Sequence, residues 1–307
     1  MQNIQLQSFL RVVEEDGVSR AAEKLFLTQP AVTRHIHALE HELQTPLFVR
    51  IGRRMRLTQA GHILCDYARR SLSTLEECRT VLADLKKGDK GRIVLGAGVT
   101  TSIFHLPCWL REFQKICPKI DVVVRTGSSQ DVVKTVLERK VDLGFITSPT
   151  SDPRLRSVEL FEDAIVLVGP TRHPLASSPL SAKRFSQAPL ILFPGGSGFR
   201  AYLDAEFSNA GLVPLIKMEN DSLEAIKSFV SVGLGLSFLP ESAVTKEISS
   251  GQLRHVRVKG MKKLFRKTSV IYHSDRYVST AVYRFLQVVY DRCGVKDEFL
   301  PKRISLK

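Results

Sequence analysis

The segment from Ser19 to Thr58 constrains this 307-residue chain more than any other. Ser19 can cap a short Ala-rich helix, and a four-residue turn separates that helix from a second one with Pro30 in its first turn. Apolar residues of the second helix fall on one face, at Val32, Ile36, Leu39 and Leu43. The pattern predicts a helix-turn-helix whose opposite, polar face fits the major groove of DNA.

The flanking residues extend this unit to a winged helix-turn-helix. Upstream, an apolar stripe predicts a supporting helix, with Leu6, Phe9, Leu10 and Val13 at helical spacing. Downstream, two short extended runs predict a hairpin, and Arg50, Arg53, Arg54 and Arg56 lie there with no acid among them. A solvated basic loop is the plain alternative, but directly after a helix-turn-helix the arginines favour a wing that contacts phosphates.

The same residues carry a family resemblance. The phrases Ser19-Arg20-Ala21-Ala22, Leu27 to Arg34, Pro46-Leu47-Phe48 and Leu57 to Gly61 resemble the LysR-type transcriptional regulators, and the match runs without a gap through about the first sixty residues. The resemblance implies that the head of the second helix approaches the bases, while the wing arginines lie on the DNA backbone. The predicted DNA-binding residues are Ser19, Arg20, Gln29, Pro30, Thr33, Arg34, His37, Arg50, Arg53, Arg54 and Arg56.

The charge of the chain suits an anionic partner, since the formal net charge is +14. Most of the excess lies after residue 250, where 14 Lys and Arg stand against 4 Asp and Glu. Surface solvation, contact with flanking DNA and an acidic partner all remain open for this tail. No apolar run approaches the ~20 residues that span a bilayer, and the first residues do not resemble a secretory signal. The expected location is the cytoplasm.

The cysteines predict neither a metal site nor a disulfide framework. Their count is odd and no two have CxxC spacing. They are Cys65, Cys78, Cys108, Cys117 and Cys293. Buried, reduced thiols are the expectation, with a redox-sensing pair as the open alternative. No metal and no cofactor are predicted.

Residues 59–87 predict a long helix that packs against another helix. An apolar seam with alternating spacings of four and three runs through Leu64, Ala68, Ser71, Leu75, Cys78, Leu82 and Leu85. The partner could lie in the same chain or in a second copy. The family resemblance favours a second copy, and so a dimer or tetramer. Gly88-Asp89-Lys90-Gly91 then predicts a hinge.

Residues 92–307 predict an α/β domain of two lobes, because strand-like runs alternate with amphipathic helices in two similar halves. The pattern resembles the type 2 periplasmic-binding-protein fold of the same family's effector domain. The expected division is a winged helix-turn-helix at 1–58, a linker helix at 59–87, a hinge at 88–91 and the effector domain at 92–307.

Hydroxyls precede several of the predicted helices, where unpaired N–H groups favour anions. If these turns share one sheet edge, a small anionic effector would bind there. The candidates are Thr100, Thr101, Ser102, Ser128, Ser129, Thr147, Ser197 and Ser222, with Arg200 as a partner for a carboxylate. Plain N-capping is the alternative for each hydroxyl taken alone.

These features together predict a transcriptional regulator. It would bind a partly palindromic operator, respond to the effector, and contact RNA polymerase if it activates. Glycine-rich and His-containing segments do not complete any catalytic motif, so no catalytic residue is predicted. Two alternatives remain: a solute binder or enzyme of the two-lobed fold with a fused DNA-binding head, and an architectural protein that uses the basic tail without an effector.

Overall fold

The computed structural model describes residues 1–51, 54–85, 91–172, 174 and 179–301. Its first unit is a winged helix-turn-helix built from α1 (Asn3–Glu14), α2 (Val18–Leu25), α3 (Gln29–Leu43), β1 (Phe48–Ile51) and β2 (Arg54–Leu57). The two strands pair as an antiparallel hairpin. Phe9, Val32, Leu39 and Leu47 are fully buried between the helices and the hairpin, so the predicted apolar stripes do form one core.

Two local predictions in this unit need correction. Helix α2 begins at Val18 after Gly17, so Ser19 lies inside its first turn and is not the cap. Leu43, predicted to share the buried face of α3, is 36% exposed because the helix has by then run past the edge of the core. Helix α3 does follow Thr28 and holds Pro30 in its first turn.

The linker helix α4 spans Gln59–Leu85. The Thr58 hydroxyl accepts a hydrogen bond from the Gly61 N–H at 3.0 Å and starts the helix. Its first half packs on the winged-helix core through Leu64, Cys65 and Ala68. The predicted seam is therefore divided: its first two residues are buried within the chain. Farther along the seam, Leu75 and Leu82 remain exposed.

Lobe I is a parallel β-α-β unit with helices on both faces. Its strands are β3 (Gly91–Ala97), β4 (Ile120–Thr126) and β5 (Leu143–Ile146), paired in the order β4-β3-β5. Its helices are α5 (Val99–Phe104), α6 (Leu106–Ile116), α7 (Ser129–Leu137) and α12 (Thr280–Cys293). Trp109, Phe113 and Phe285 fill one face of the sheet. Val132 and Val136 of α7 cover the other.

Lobe II repeats the β-α-β pattern. It holds α8 (Ala182–Phe185), β7 (Pro189–Leu192), α9 (Gly198–Asn209), β8 (Leu215–Glu219), α10 (Leu223–Ser231), β9 (Ser237–Pro240), α11 (Glu241–Ser249) and β10 (Leu253–Val256). Strands β7 and β8 are parallel. Phe185, Phe207 and Phe238 pack together at its centre.

Two long antiparallel strands join the lobes, β6 (Leu155–Pro170) and β11 (Leu264–His273). The end of β11 pairs with β5 in lobe I, whereas the end of β6 pairs with β9 and β10 in lobe II. The predicted winged helix-turn-helix, long helix and two-lobed α/β region are confirmed. Among the described residues, no helix is both long and apolar enough to cross a membrane.

Candidate nucleic-acid interface and ligand cleft

Helix α3 presents a polar face to solvent. Val32, Ile36 and Leu39 are buried on its inner side. Because a helix turns about 100° per residue, the residues on the opposite side of the helix point outward. Arg34 is exposed there, and the His37 side chain is 72% exposed. A cationic, exposed helix face of this kind has the shape and charge that fit a DNA groove.

The head of α3 adjoins the first turn of α2. The Gln29 amide donates a hydrogen bond to the Ser19 hydroxyl. Arg20 donates to the Asp16 carbonyl at 3.0 Å, which holds its guanidinium beside the same turn. Pro30 is exposed and Thr33 is half-buried. Ser19, wrongly predicted as a cap, is exposed at this turn and holds the Gln29 side chain.

Glu40 fixes the wing to the recognition helix, a role that the sequence did not indicate. Its carboxylate accepts from the backbone N–H groups of Leu47 and Phe48, at 2.8 and 3.4 Å. It also lies 3.3 Å from Nδ1 of His37. On the inner side, His35 Nδ1 is 2.7 Å from the hydroxyl of buried Ser8. His35 is therefore tied to α1, while His37 belongs to the outer surface.

The wing carries arginines on both faces of its hairpin. Val49 pairs with Arg56, and Arg50 pairs with Met55. Since side chains alternate along a strand, Arg50 and Arg56 point to opposite faces. Both are exposed. Arg54 belongs to β2, but its side chain, like the whole of Arg53, lies outside the described residues.

The carboxyl ends of β3, β4 and β5 meet at one edge of lobe I, where the structure brings together two predicted hydroxyls, Ser129 and Thr147, and sets a third, Ser102, beside Thr126, which was not predicted. Ser102 lies 3.4 Å from the Thr126 hydroxyl. Ser129 lies 3.5 Å from the Thr147 hydroxyl and accepts from the Thr147 N–H at 3.1 Å. Helix α5 begins after Gly98, so the threonines at 100 and 101 lie inside it and do not precede it.

Several residues predicted to contact the effector are instead buried or cap helices in this structure. The Thr101 side chain is buried within lobe I. Ser128, Ser197 and Ser222 are N-caps, which accept from the backbone N–H groups of Asp131, Arg200 and Ala225. Ser128 also donates to the Asp131 carboxylate at 2.6 Å, and its hydrogen-bonding capacity is used locally. That hydrogen bond is the main reason the pKa of Asp131 is lowered, which keeps a negative charge at the start of α7.

Arg200, predicted to hold an effector carboxylate, instead holds carboxylates of its own lobe. It contacts Asp204 at 2.8 Å and Glu219 at 2.7 Å, and it donates to the Phe193 carbonyl at 3.2 Å. Its side chain is only 11% exposed. A guanidinium with two acidic partners has little remaining attraction for an anion, so the prediction for Arg200 is not supported.

The two lobes approach each other beside these turns. At Gly198, the first residue of α9, an added Cβ would lie 3.1 Å from the Ser148 hydroxyl of lobe I. Phe104 of α5 packs against the core of lobe II, and the Lys227 ammonium lies 5.8 Å from its ring centre. The candidate cleft is therefore narrow, with Thr147, Ser148 and the α9 N-terminus at one end.

A polar cluster at the crossing strands was missed by the sequence analysis. Arg266 of β11 is paired in register with Asp163 of β6, and its guanidinium lies 5.3 Å from the ring centre of Phe199. Its Nε is buried without a hydrogen-bond partner. Asp163 is bound instead by the N–H and hydroxyl of Ser242, at 3.3 and 2.5 Å. His105 completes the cluster from lobe I.

Burial governs the electrostatics of this cluster. It lowers the pKa of His105, an effect partly offset by the charge of Asp163 and reinforced by that of Arg266, and so favours the neutral imidazole. Burial also lowers the pKa of Arg266, although a guanidinium remains charged in proteins. The ring of His105 stacks near Phe161, with centroids 4.4 Å apart. Arg266 and His105 thus lie beside the aromatic rings of Phe199 and Phe161.

The DNA-binding unit and the two-lobed domain each match a known protein family. Residues 4–62 match the profile of the bacterial regulatory helix-turn-helix protein, lysR family, and residues 86–294 match the LysR substrate binding domain. The chain belongs to the LysR family. LysR-type proteins are transcriptional regulators and not enzymes, so the chain is a DNA-binding regulator with a ligand-binding domain, and the enzyme alternative is excluded.

The similarity to LysR-type regulators spans the whole length. The transcriptional regulator GltR of Bacillus subtilis is 32% identical, covering 96% of this chain and 98% of its own. The transcriptional activator CmpR of Synechocystis is 31% identical, covering 93% and 94%. The fold matches that of full-length CbnR, solved with its target DNA, with a TM-score of 0.67 at 24% identity over 95% of this chain and 99% of CbnR.

Proposed function

We propose that this LysR-type regulator is controlled by a small anionic metabolite that binds between the two lobes, beside Arg266. The observation that carries the proposal is the state of the Arg266 guanidinium: its Nε is buried without a hydrogen-bond partner, and the nearest acid is engaged elsewhere. Burying a guanidinium N–H without a hydrogen-bond partner costs free energy. A carboxylate, sulfate or phosphate group would supply the missing hydrogen bonds.

The surroundings of Arg266 support a ligand with an apolar body. Phe199 lies against the guanidinium, and Phe161 and His105 line the neighbouring wall. Ser129 and Thr147, paired at the lobe I edge, could re-aim their hydroxyls toward polar groups of the ligand. Because these residues come from both lobes and from the crossing strands, a ligand there would favour one closure of the cleft over another.

On the DNA side, we propose that Gln29, Thr33 and Arg34 read base edges while Arg50 and Arg56 hold phosphates. Two copies, joined through α4, would set two recognition helices on a partly palindromic operator. We further propose domain boundaries after residues 58, 87 and 91. We also propose that the protein is cytoplasmic and that it contacts RNA polymerase if it activates transcription. The exposed side chains of α3 and the apolar stripe on α4 support this arrangement.

A thermal-shift screen of the full chain tests the effector proposal. The panel holds mono- and dicarboxylates, aromatic carboxylates, sulfate and phosphate esters, each with its neutral amide or alcohol analogue. A ligand that binds only the native state at a hundred times its Kd adds about 2.7 kcal/mol to the free energy of unfolding. We expect at least one anion to raise the Tm while its neutral analogue does not. Equal shifts with neutral analogues would contradict an anionic effector.

A further inference from the structure

Four charged side chains connect lobe I to the DNA-binding unit of the same chain. Arg69 of α4 contacts Glu138 at 3.1 Å, and Lys140 contacts both Glu138 at 3.0 Å and Glu14 of α1 at 3.2 Å. Charges alternate along the row, so each side chain has an opposite neighbour. We call Glu14, Arg69, Glu138 and Lys140 the clasp.

The clasp is more shielded from water than an ordinary surface ion pair. The side chains of Arg69 and Glu138 are 19% and 16% exposed, and those of Lys140 and Glu14 are each 30% exposed. By contrast, Glu76 and Arg79, two to three turns farther along α4, are about two-thirds exposed. Shielded pairs are screened less by salt and are held in one geometry, so the clasp fixes the position of lobe I against α1 and α4.

The loop that carries Glu138 and Lys140 is rigidly built. Arg139 has φ of 56°, a left-handed conformation that usually belongs to glycine, and hydrogen bonds from the N–H groups of Arg139 and Lys140 to Val136 and Thr135 close the end of α7. Arg276 then ties the following residues to lobe I through the Val141 carbonyl at 2.8 Å. The strained conformation directs the two clasp residues toward the DNA-binding unit.

Helix α7 connects this loop to the candidate cleft. Its first residue is Ser129, paired with Thr147, and Glu138 directly follows its last residue. Nine helical residues span about 13 Å. The helix lies so close to β5 that a Cβ on Gly144 would come within 2.7–2.8 Å of Val132 and Val136. Helix α7 is therefore tightly packed against β5 and directly connects the candidate cleft to the clasp residues.

We propose that the clasp is an intrachain device through which lobe I sets the orientation of its own DNA-binding unit, with α7 as the connecting rod. A shift of α7 at the cleft would strain or release the contacts of Glu138 and Lys140 with Arg69 and Glu14. The effect on DNA rests on the function proposed above, whereas the existence of the clasp does not. The two are tested separately.

Zero-length carbodiimide cross-linking tests the clasp itself. Unlabelled and ¹⁵N-labelled full-length protein are mixed and treated with the carbodiimide. The cross-linked peptides are then analysed by mass spectrometry. We expect a Glu14–Lys140 amide within single chains, its loss in Lys140→Glu, and its return in the double variant Glu14→Lys/Lys140→Glu, where the acid and the amine have changed places. Two results would overturn the proposal. One is the absence of the link in the wild type, and the other is a proportion of mixed-isotope peptides showing that the link forms between two copies and not within one.

The consequence for DNA is tested on duplexes selected in vitro by the wild-type protein. Lys140→Glu is expected to change the bend angle of the bound duplex, measured by circular-permutation gel shift, and the double variant to restore it. An unchanged bend in Lys140→Glu would contradict the role of the clasp. If the wild type selects no sequence, the proposed function fails, yet the cross-link still decides whether the clasp exists.

Discussion

At the scale of single residues, the buried cations of the effector domain differ in what neutralises them. Lys227 lies 2.6 Å from Glu247, and Arg200 holds two carboxylates. Arg266 has a cross-strand neighbour, Asp163, whose oxygens are taken by Ser242. Structural ion pairs explain the first two side chains. No such ion pair from the described residues holds the Nε of Arg266. We therefore treat Arg266 as a candidate ligand contact, and Lys227 and Arg200 as structural residues.

Replacing Arg266 tests that distinction. Arg266→Met should abolish the Tm shift produced by the anion found in the screen and should change the unliganded free energy of unfolding by no more than about 1 kcal/mol, because few native bonds are lost. The matched control Arg200→Met loses charged hydrogen bonds and should destabilise the protein by about 1–2 kcal/mol while keeping the anion response. A full anion response in Arg266→Met would exclude the guanidinium from the site.

At the scale of elements, the sequence correctly predicted the helices and strands whose pattern depends on residues close together in the chain. Spacing placed α3, the linker helix and the two β-α-β halves, because each depends on residues only a few positions apart. The Arg266 cluster could not be found this way. His105, Asp163 and Arg266 are far apart in sequence: the pairing of β6 with β11 sets Arg266 opposite Asp163, and the packing of lobe I adds His105. For the hydroxyls before helices the sequence left two roles open, effector contact and N-capping, and Ser128, Ser197 and Ser222 do cap their helices.

Gly61, at the junction between the wing and α4, lies too close to its neighbours to accept a side chain. An added Cβ at Gly61 would collide with the Leu47 carbonyl and the Leu57 side chain. Gly61→Ala should therefore destabilise the winged-helix unit by about 1–3 kcal/mol, as overpacking of a closed site does. Chemical denaturation followed by far-UV circular dichroism measures the change. Gly195→Ala, where no atom lies within 4 Å, serves as the control, and equal stabilities of the two variants would refute the close contact.

At the scale of the whole molecule, the described part of α4 exposes an apolar stripe to solvent. Ile63, Tyr67, Leu75 and Leu82 are 42–60% exposed on one side of the helix. Leu75 and Leu82 continue the seam whose first residues, Leu64 and Ala68, are buried against the winged-helix core, so the seam becomes exposed where α4 runs past that core. LysR-type regulators are oligomeric, and this face is suited to a second copy.

A charge placed on the stripe should separate the copies. Leu75→Asp would bury a carboxylate in an apolar seam, costing about 3 kcal/mol, roughly a hundredfold in the association constant. Sedimentation velocity should show a smaller species for Leu75→Asp. Glu76→Lys, which changes charge on another side of α4, should sediment as the wild type does. An unchanged assembly in Leu75→Asp would move the interface elsewhere.

The central claim is that α3 reads bases while the wing holds the backbone, and base preference measured after single substitutions tests it most directly. On duplexes selected by the wild type, Arg34→Ala should flatten the preference at one or two positions and cost about 1–3 kcal/mol. Arg56→Ala should weaken binding to every sequence alike and reduce the salt slope by about one, while Arg254→Ala, an exposed arginine of lobe II, should change neither. An Arg34→Ala protein with the wild-type preference would contradict the account.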